Sequence, residues 1–223
     1  MWRDTVLVAG KDLRIELRSR VVLHQVVPVA VLVLLLFAFA LGPERATTVH
    51  AAAGVFWVAV LFATVLAVQR SFAVEGGDGA HEALRLWGLD PAGVFLGKAA
   101  AVAVQLLVLE VVLTVGVVWL YGAHVHAVLP VLVAAAAGTA GLAAAGTLYG
   151  ALAVGLRVRE TLLPFLLLPV VAPVVVAGTR AWQVALGTGS GSVWDPWVVL
   201  LVVFAAVYLA VGVVLFGQLQ ESP

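Results

Sequence analysis

The chain has no cysteine, one methionine and few charges: only 11% of its 223 residues are Asp, Glu, Lys or Arg, against about a quarter in soluble domains. Without cysteine there can be no disulfide, no thiolate metal site and no cysteine nucleophile. The formal net charge is zero and no long run of like charge occurs, so the basic footprint of a nucleic-acid binder is missing. What is present is apolar. Hydrophobic residues make up 64% of the chain and the mean hydropathy is +1.16, which is the composition of an all-α integral membrane protein.

About twenty apolar residues cross a bilayer, and six stretches qualify, at roughly 22–41, 49–68, 99–120, 127–154, 161–178 and 197–216. They form a single transmembrane domain over residues 1–223. Ala38-Phe39-Ala40 resembles a signal cleavage site, but the apolar run from Val26 to Leu41 is longer than most signal cores, and the expectation is a retained span. Ten of the twelve Lys and Arg residues fall before the first span or in the connections after the second and fourth. Only Arg45 and Arg180 fall on the other side. The positive-inside rule therefore places both termini in the cytoplasm, with Trp119, Tyr121, Trp182, Trp194 and Trp197 forming an aromatic belt at the outer boundary.

Two segments are not spans. In residues 1–20, Trp2, Val6, Ala9, Leu13 and Leu17 recur at helical spacing with Arg3, Lys11, Arg14 and Arg18 elsewhere on the wheel, which predicts an amphipathic helix on the membrane surface. The stretch 69–98 is far longer than a connection requires. Within it Asp78 is a fitting N-cap, Ala80 to Trp87 is a short helical run, and Gly88 with Asp90-Pro91 ends it. Ala80, Leu84 and Trp87 share one side, suited to a partner's groove or to the lipid interface.

Catalytic machinery is not evident. The closest approach to a phosphate-binding loop, Gly93-Val94-Phe95-Leu96-Gly97-Lys98-Ala99, is one residue short and has alanine where a hydroxyl must meet magnesium. If ATP is used, another polypeptide hydrolyses it. Glu110 is the one ionisable residue deep in a span, a costly placement that marks either function or packing. Pro164, Pro169 and Pro173 in the fifth span should kink or break it, making them hinge candidates. Gly146 and Gly150 have the spacing of close helix packing. His124 and His126 on a short outer loop are weak candidates for haem contact, and no metal site is expected.

Several segments, in order and at matching spacing, resemble the B subunits of cytochrome c maturation ABC transporters, the haem exporter protein B family. They are Lys11-Asp12-Leu13-Arg14-Ile15-Glu16-Leu17-Arg18, Phe39-Ala40-Leu41-Gly42-Pro43, Gly54-Val55-Phe56-Trp57-Val58 and Gln69-Arg70-Ser71-Phe72, then Asp78-Gly79 and Asp90-Pro91 leading to Lys98. Gly138-Thr139, Ala151-Leu152-Ala153-Val154-Gly155-Leu156-Arg157 and Leu168-Pro169-Val170-Val171-Ala172-Pro173-Val174 complete the series. In one place the chain departs from the pattern: Glu75 and Asp78 are separated by two glycines, where the family has a compact acid–acid–Gly run.

The resemblance implies a non-catalytic permease of ABC-2-like fold in the bacterial inner membrane, paired as a dimer. It implies a cytoplasmic ABC ATPase subunit that holds the ATP, a haem-handling membrane subunit and a haem chaperone. Haem then belongs to the wider complex, and ATP hydrolysis serves release of the loaded chaperone. Residues 1–20 become an elbow helix and Ala80 to Trp87 a coupling helix, with Glu75, Asp78, Gly79, Glu82, Leu84, Arg85 and Trp87 the candidate ATPase contacts. Two other readings stay open. One is an ABC-2 permease for another cargo such as a lipid or drug; the other is a proton-coupled carrier or membrane scaffold without an ATPase.

Overall fold

The computed structural model describes residues 1–20, 22–42, 44–77, 88–153, 159–190 and 196–221, and among these it is helical with no strand. The helices are α1 (Trp2–Ser19), α2 (Val27–Ala40), α3 (Arg45–Gly77), α4 (Pro91–Tyr121), α5 (Val128–Ala153), α6 (Arg159–Ala185) and α7 (Pro196–Glu221). Five of them, α3 to α7, are each long and apolar enough to span a bilayer. A sixth candidate arises only if α1 and the stretch His24–Ala40 are taken together as one bent span. A π-helical turn, Val22–Val26, runs into α2, where Pro28 has no N–H to offer the preceding turn. The stretch His24–Ala40 is bent by 59° from α1.

Helices and spans differ in length for a physical reason. At 1.5 Å per residue α3 is about 50 Å long, and a hydrocarbon core is about 30 Å, so polar residues such as Gln69 and Arg70 end the apolar run without ending the helix. The connection between α3 and α4 is accordingly residues 78–90 rather than the whole of 69–98. Asp90 closes it by capping α4, accepting from the Ala92 amide at 3.1 Å, with Pro91 at the first helical position.

The centre of the bundle is built on α3, α4 and α5. Helix α5 packs against α3, α4, α6 and α7, and α4 against α1, α2, α3, α5 and α7. Buried residues make up 67% of the α3 span and 61% of α5 but only 22% of α7, so α7 presents most of its surface outward. Alanine and glycine make the dense packing of α5 possible. A methyl group on Gly138 would collide with Trp57, on Gly141 with Phe204, on Gly146 with Val68 and on Gly150 with Phe72.

Two aromatic expectations are corrected. Trp182 is 1% exposed and Tyr121 2%, so neither belongs to a membrane-boundary belt. Trp182 stacks on Phe56 with ring centroids 3.7 Å apart and stands edge-on to Trp57. Tyr121 donates its hydroxyl to the Leu34 carbonyl of α2 at 2.7 Å. Trp119, in contrast, is 83% exposed; Trp194 lies outside the described residues.

Helix α6 runs unbroken through Pro164, Pro169 and Pro173. Its buried stripe is Leu163, Leu167, Val171, Val174, Ala177 and Ala181. Pro169 and Pro173 are exposed and Pro164 half-buried, beside that stripe rather than in it, which is how the helix keeps its packed face through three missing donors.

Candidate functional site

The candidate site is the end of the bundle that carries α1, where the helices flanking residues 78–87 begin and end. Glu75 lies in the last turn of α3. Asp78, Gly79, Glu82, Leu84, Arg85 and Trp87 lie outside the described residues, as does the predicted helix from Ala80 to Trp87. What is described is the frame that holds them.

Helix α1 docks along the first turns of α4, and glycine permits it. A methyl on Gly93 would meet the Met1 carbonyl at 2.8 Å, and one on Gly97 would meet Val8 at 2.7 Å and the Thr5 carbonyl at 2.8 Å. The would-be phosphate loop is therefore a helix with its glycines turned against another helix. Successive residues on a helix are about 100° apart, which gives α1 three faces. Thr5, Val8 and Asp12 face α4, with Thr5 and Val8 buried. Trp2, Val6 and Leu17 form an apolar face that is 78%, 58% and 75% exposed, free to rest in lipid. The cations Arg3, Arg14 and Arg18 lie on the third face. The sequence pattern revealed the lipid face and missed the docking face, because Thr, Val and Asp do not form an apolar stripe.

A charged lock closes this joint. Lys98 of α4 is 2% exposed, yet its ammonium lies 3.5 Å from Asp12 of α1 and 4.8 Å above the ring of Phe72 of α3. Asp12 also pairs with Lys11 at 3.0 Å. A cation on an aromatic face and opposite a carboxylate recovers part of what burial costs it. The three groups come from α1, from the end of α3 and from the start of α4, so the two helices that lead into and out of residues 78–87 are tied to each other and to α1. Nearer the N-terminus, the Asp90 amide donates to Asp4 at 3.3 Å. That bond, the largest influence, holds the Asp4 carboxyl below its ordinary range, against a smaller opposing effect of desolvation.

Beneath the joint, Val8, Val94, Phe95, Ala144, Leu148 and Phe216 form a small core of their own. Phe95 lies against Phe216 with centroids 5.5 Å apart, and over Gly212 of α7.

Glu110 sits deeper, on α4, and is 3% exposed. The Thr139 hydroxyl of α5 donates to its Oε1, and its Oε2 has no hydrogen-bond partner. Thr114 donates to the Glu110 carbonyl at 2.7 Å. Around it are Leu106, Leu109 and Leu113, all buried. Neither Glu110 nor Thr139 lines the recesses bordered by Arg70, by Glu16 or by Arg45. The arrangement ties α4 to α5 and leaves one carboxyl oxygen in reserve.

Gly146 and Gly150 face Val68 and Phe72 of α3, placing Phe72 between α5 and Lys98. His124 is exposed at the opposite end of the bundle, and the His126 ring lies against Gly187, its amide donating to the Ala185 carbonyl at 3.0 Å. Among the described residues no three His, Cys, Asp or Glu side chains converge as a metal ion requires.

Comparison with known proteins agrees with this architecture over nearly the whole chain. The family model described as "CcmB protein" matches residues 4–218. The heme exporter protein B of Rhodobacter capsulatus is 29% identical over 77% of this chain and 78% of its own length. That of Pseudomonas aeruginosa is 28% identical over 81% of both chains. That of Paracoccus denitrificans is 31% identical over 77% of this chain and 78% of its own. With its membrane-spanning helices and a family match over residues 4–218, the chain belongs to the CcmB family of membrane permeases.

Proposed function

We propose that this chain is the membrane-spanning permease subunit of an ABC transporter in cytochrome c maturation, responding to ATP hydrolysis by a separate cytoplasmic subunit. Both termini then lie in the cytoplasm of a bacterium, beneath its inner membrane, and the permease works as a dimer. ATP belongs to the partner ATPase. Haem belongs to the wider complex, with a haem-handling membrane subunit and the haem chaperone whose release the cycle drives. This chain holds no cofactor of its own.

One observation carries the reading. Residues 78–87 connect two helices that Lys98, Asp12 and Phe72 lock into a single joint with α1, so a force applied to that connection reaches three helices at once. An ATPase that docks there, on Leu84 and Trp87 with Glu75, Asp78 and Glu82 nearby, needs such a joint to move the bundle as a unit. The relatives' name, heme exporter protein B, supports the cargo side of the reading.

The experiment has two arms. Leu84→Ala/Trp87→Ala should lower recovery of the ATPase with the affinity-purified chain while the amount of chain in the membrane is unchanged; unchanged recovery sinks the docking role. Deletion of the gene should abolish c-type cytochromes. Normal cytochrome levels would instead favour a permease for another cargo.

A further inference from the structure

Helices α4, α6 and α7 turn much of their surface outward, and α6 is unlike the other two. On α4 the outward residues include Val104, Val108, Val111 and Val115, and on α7 Val199, Val202, Val203 and Val207. Neither helix has a proline after its first position, so each carbonyl within the span keeps the N–H four residues on as its donor. Branched aliphatic side chains over a satisfied backbone suit lipid. On α6 the outward stripe is Leu162, Phe165, Leu166, Pro169, Pro173 and Val176, a helical spacing with the two prolines at its centre.

Proline brings no N–H, so the carbonyls of Phe165 and Pro169, four residues before Pro169 and Pro173, lose their regular donors. Both losses fall on one face, and that face is turned away from the bundle. Helix α6 packs on α3, α5 and α7 through the opposite stripe, which includes Leu163, Leu167, Val171 and Val174. From Leu162 to Gly178 it has no serine or threonine whose hydroxyl would serve as a substitute donor. A backbone carbonyl left without a donor in hydrocarbon is costly, and membrane proteins keep such backbone against protein or in a water-filled space between proteins.

We infer that the proline face of α6 is covered by the same face of a second copy of this chain. The inference rests on the permease of the proposed function being a dimer, and it says where the two halves meet. Ala172 is exposed beside the two proline rings, and none of the three projects far. Two backbones can therefore approach closely along this ridge, the condition under which Cα–H groups of the facing helix reach freed carbonyls. From Leu162 to Val176 the sequence carries no charge, so the face is compatible with itself across a two-fold axis, where the same patch must meet its own copy. The valine faces of α4 and α7 leave no carbonyl to cover and stay with lipid.

The chain's lack of cysteine makes the test clean. Phe165→Cys, Ala172→Cys and Val176→Cys each place a single thiol on the proposed interface, and Val111→Cys and Val202→Cys place one on the outward faces of α4 and α7. The full chain, in its native membrane, is treated with a short bis-maleimide, and the products are read by gel and mass spectrometry. The α6 positions should give a cross-linked pair of this chain at several times the yield of the two controls. In detergent, Ala172→Trp should weaken the dimer by about tenfold through overpacking, and Val202→Trp should leave it unchanged. A pair that forms only through Val111→Cys or Val202→Cys, or equally from all three helices, would overturn the inference and leave the dimer standing. Capture of a different membrane protein by the α6 thiols, without a second copy, would assign the face to another subunit and overturn it as well. If no thiol gives a pair and the chain in lipid nanodiscs has the mass of a single copy, the dimer of the proposed function falls with it.

Discussion

The two ends of the bundle are held by opposite means. At the end that carries α1, helices meet through glycine contacts, a buried ammonium and its carboxylate, with a cavity of about 200 Å³ between them. At the other end Phe56, Trp57 and Trp182 form a continuous aromatic block, and Tyr121 fastens α4 to α2. Aromatic packing fixes one geometry. A charged joint with space beside it can be rearranged by a partner that offers new charges. The difference teaches where the molecule is built to stay and where it is built to yield.

The comparison breaks most sharply at Trp57, whose indole lies against both Gly138 and Gly178. Trp57→Ala should cost about 3–5 kcal/mol, read as a lower unfolding midpoint in mixed micelles, and Gly178→Val should act in the same direction by collision. If the α1 end were equally rigid, the next prediction would match it. Asp12→Asn should cost about 3 kcal/mol by removing one member of a buried pair, and Asp12→Asn/Lys98→Met should recover part of that. Failure of the double variant to recover would show that Lys98 is held by Phe72 and its other neighbours rather than by Asp12.

Between the two ends, Thr139→Val should cost about 1 kcal/mol, the scale of an interhelical hydrogen bond in a membrane. Glu110→Gln, which can still accept from Thr139, should cost less. Activity lost in Glu110→Gln at unchanged stability would assign the carboxyl a role in the transport cycle; activity retained would leave it a tie between α4 and α5. The smallest effect is a pH dependence at Asp4. A carboxyl held below its ordinary value stabilises the fold above that value, near pH 4, and the contribution is lost as the pH falls through the folded-state pKa. The protection factor for hydrogen exchange at the Asp90 amide, taken relative to the slower intrinsic exchange in acid, should therefore fall as the pH is lowered, and Asp4→Asn should remove that dependence.

The fold was readable because membrane spans are written in hydropathy: helices α3 to α7 coincide with the five later stretches of the sequence reading, except that α5 begins one residue after Ala127 and Val154 lies outside the described residues. The amphipathic α1 was equally plain. Pairings were not. Nothing in a single sequence says that Asp12 reaches Lys98 across 86 residues, or Glu110 reaches Thr139 across 29. Lys98 could have been noticed as a lone cation directly after Gly97, at the mouth of a span, where a charge needs a partner. Trp182 and Tyr121 misled because a belt is inferred from position along the chain, and their helices turn both side chains inward. Arg70 was counted as one more positive-inside residue. Only the structure shows that, among the described residues, its buried Nε has no hydrogen-bond partner.

The three-faced α1 also has a consequence in time. Its docking surface on α4 is centred on Gly97, 78 residues after the last residue of α1, Ser19, so a ribosome adding about 5–20 residues per second finishes α1 about 4–16 seconds before that surface exists. During this interval neither Asp12 nor Val8 has its counterpart, and the membrane surface is the only thing α1 can hold. Trp2, Val6 and Leu17, exposed in the finished bundle, give the first helix an apolar face that can rest on lipid before the rest of the protein arrives.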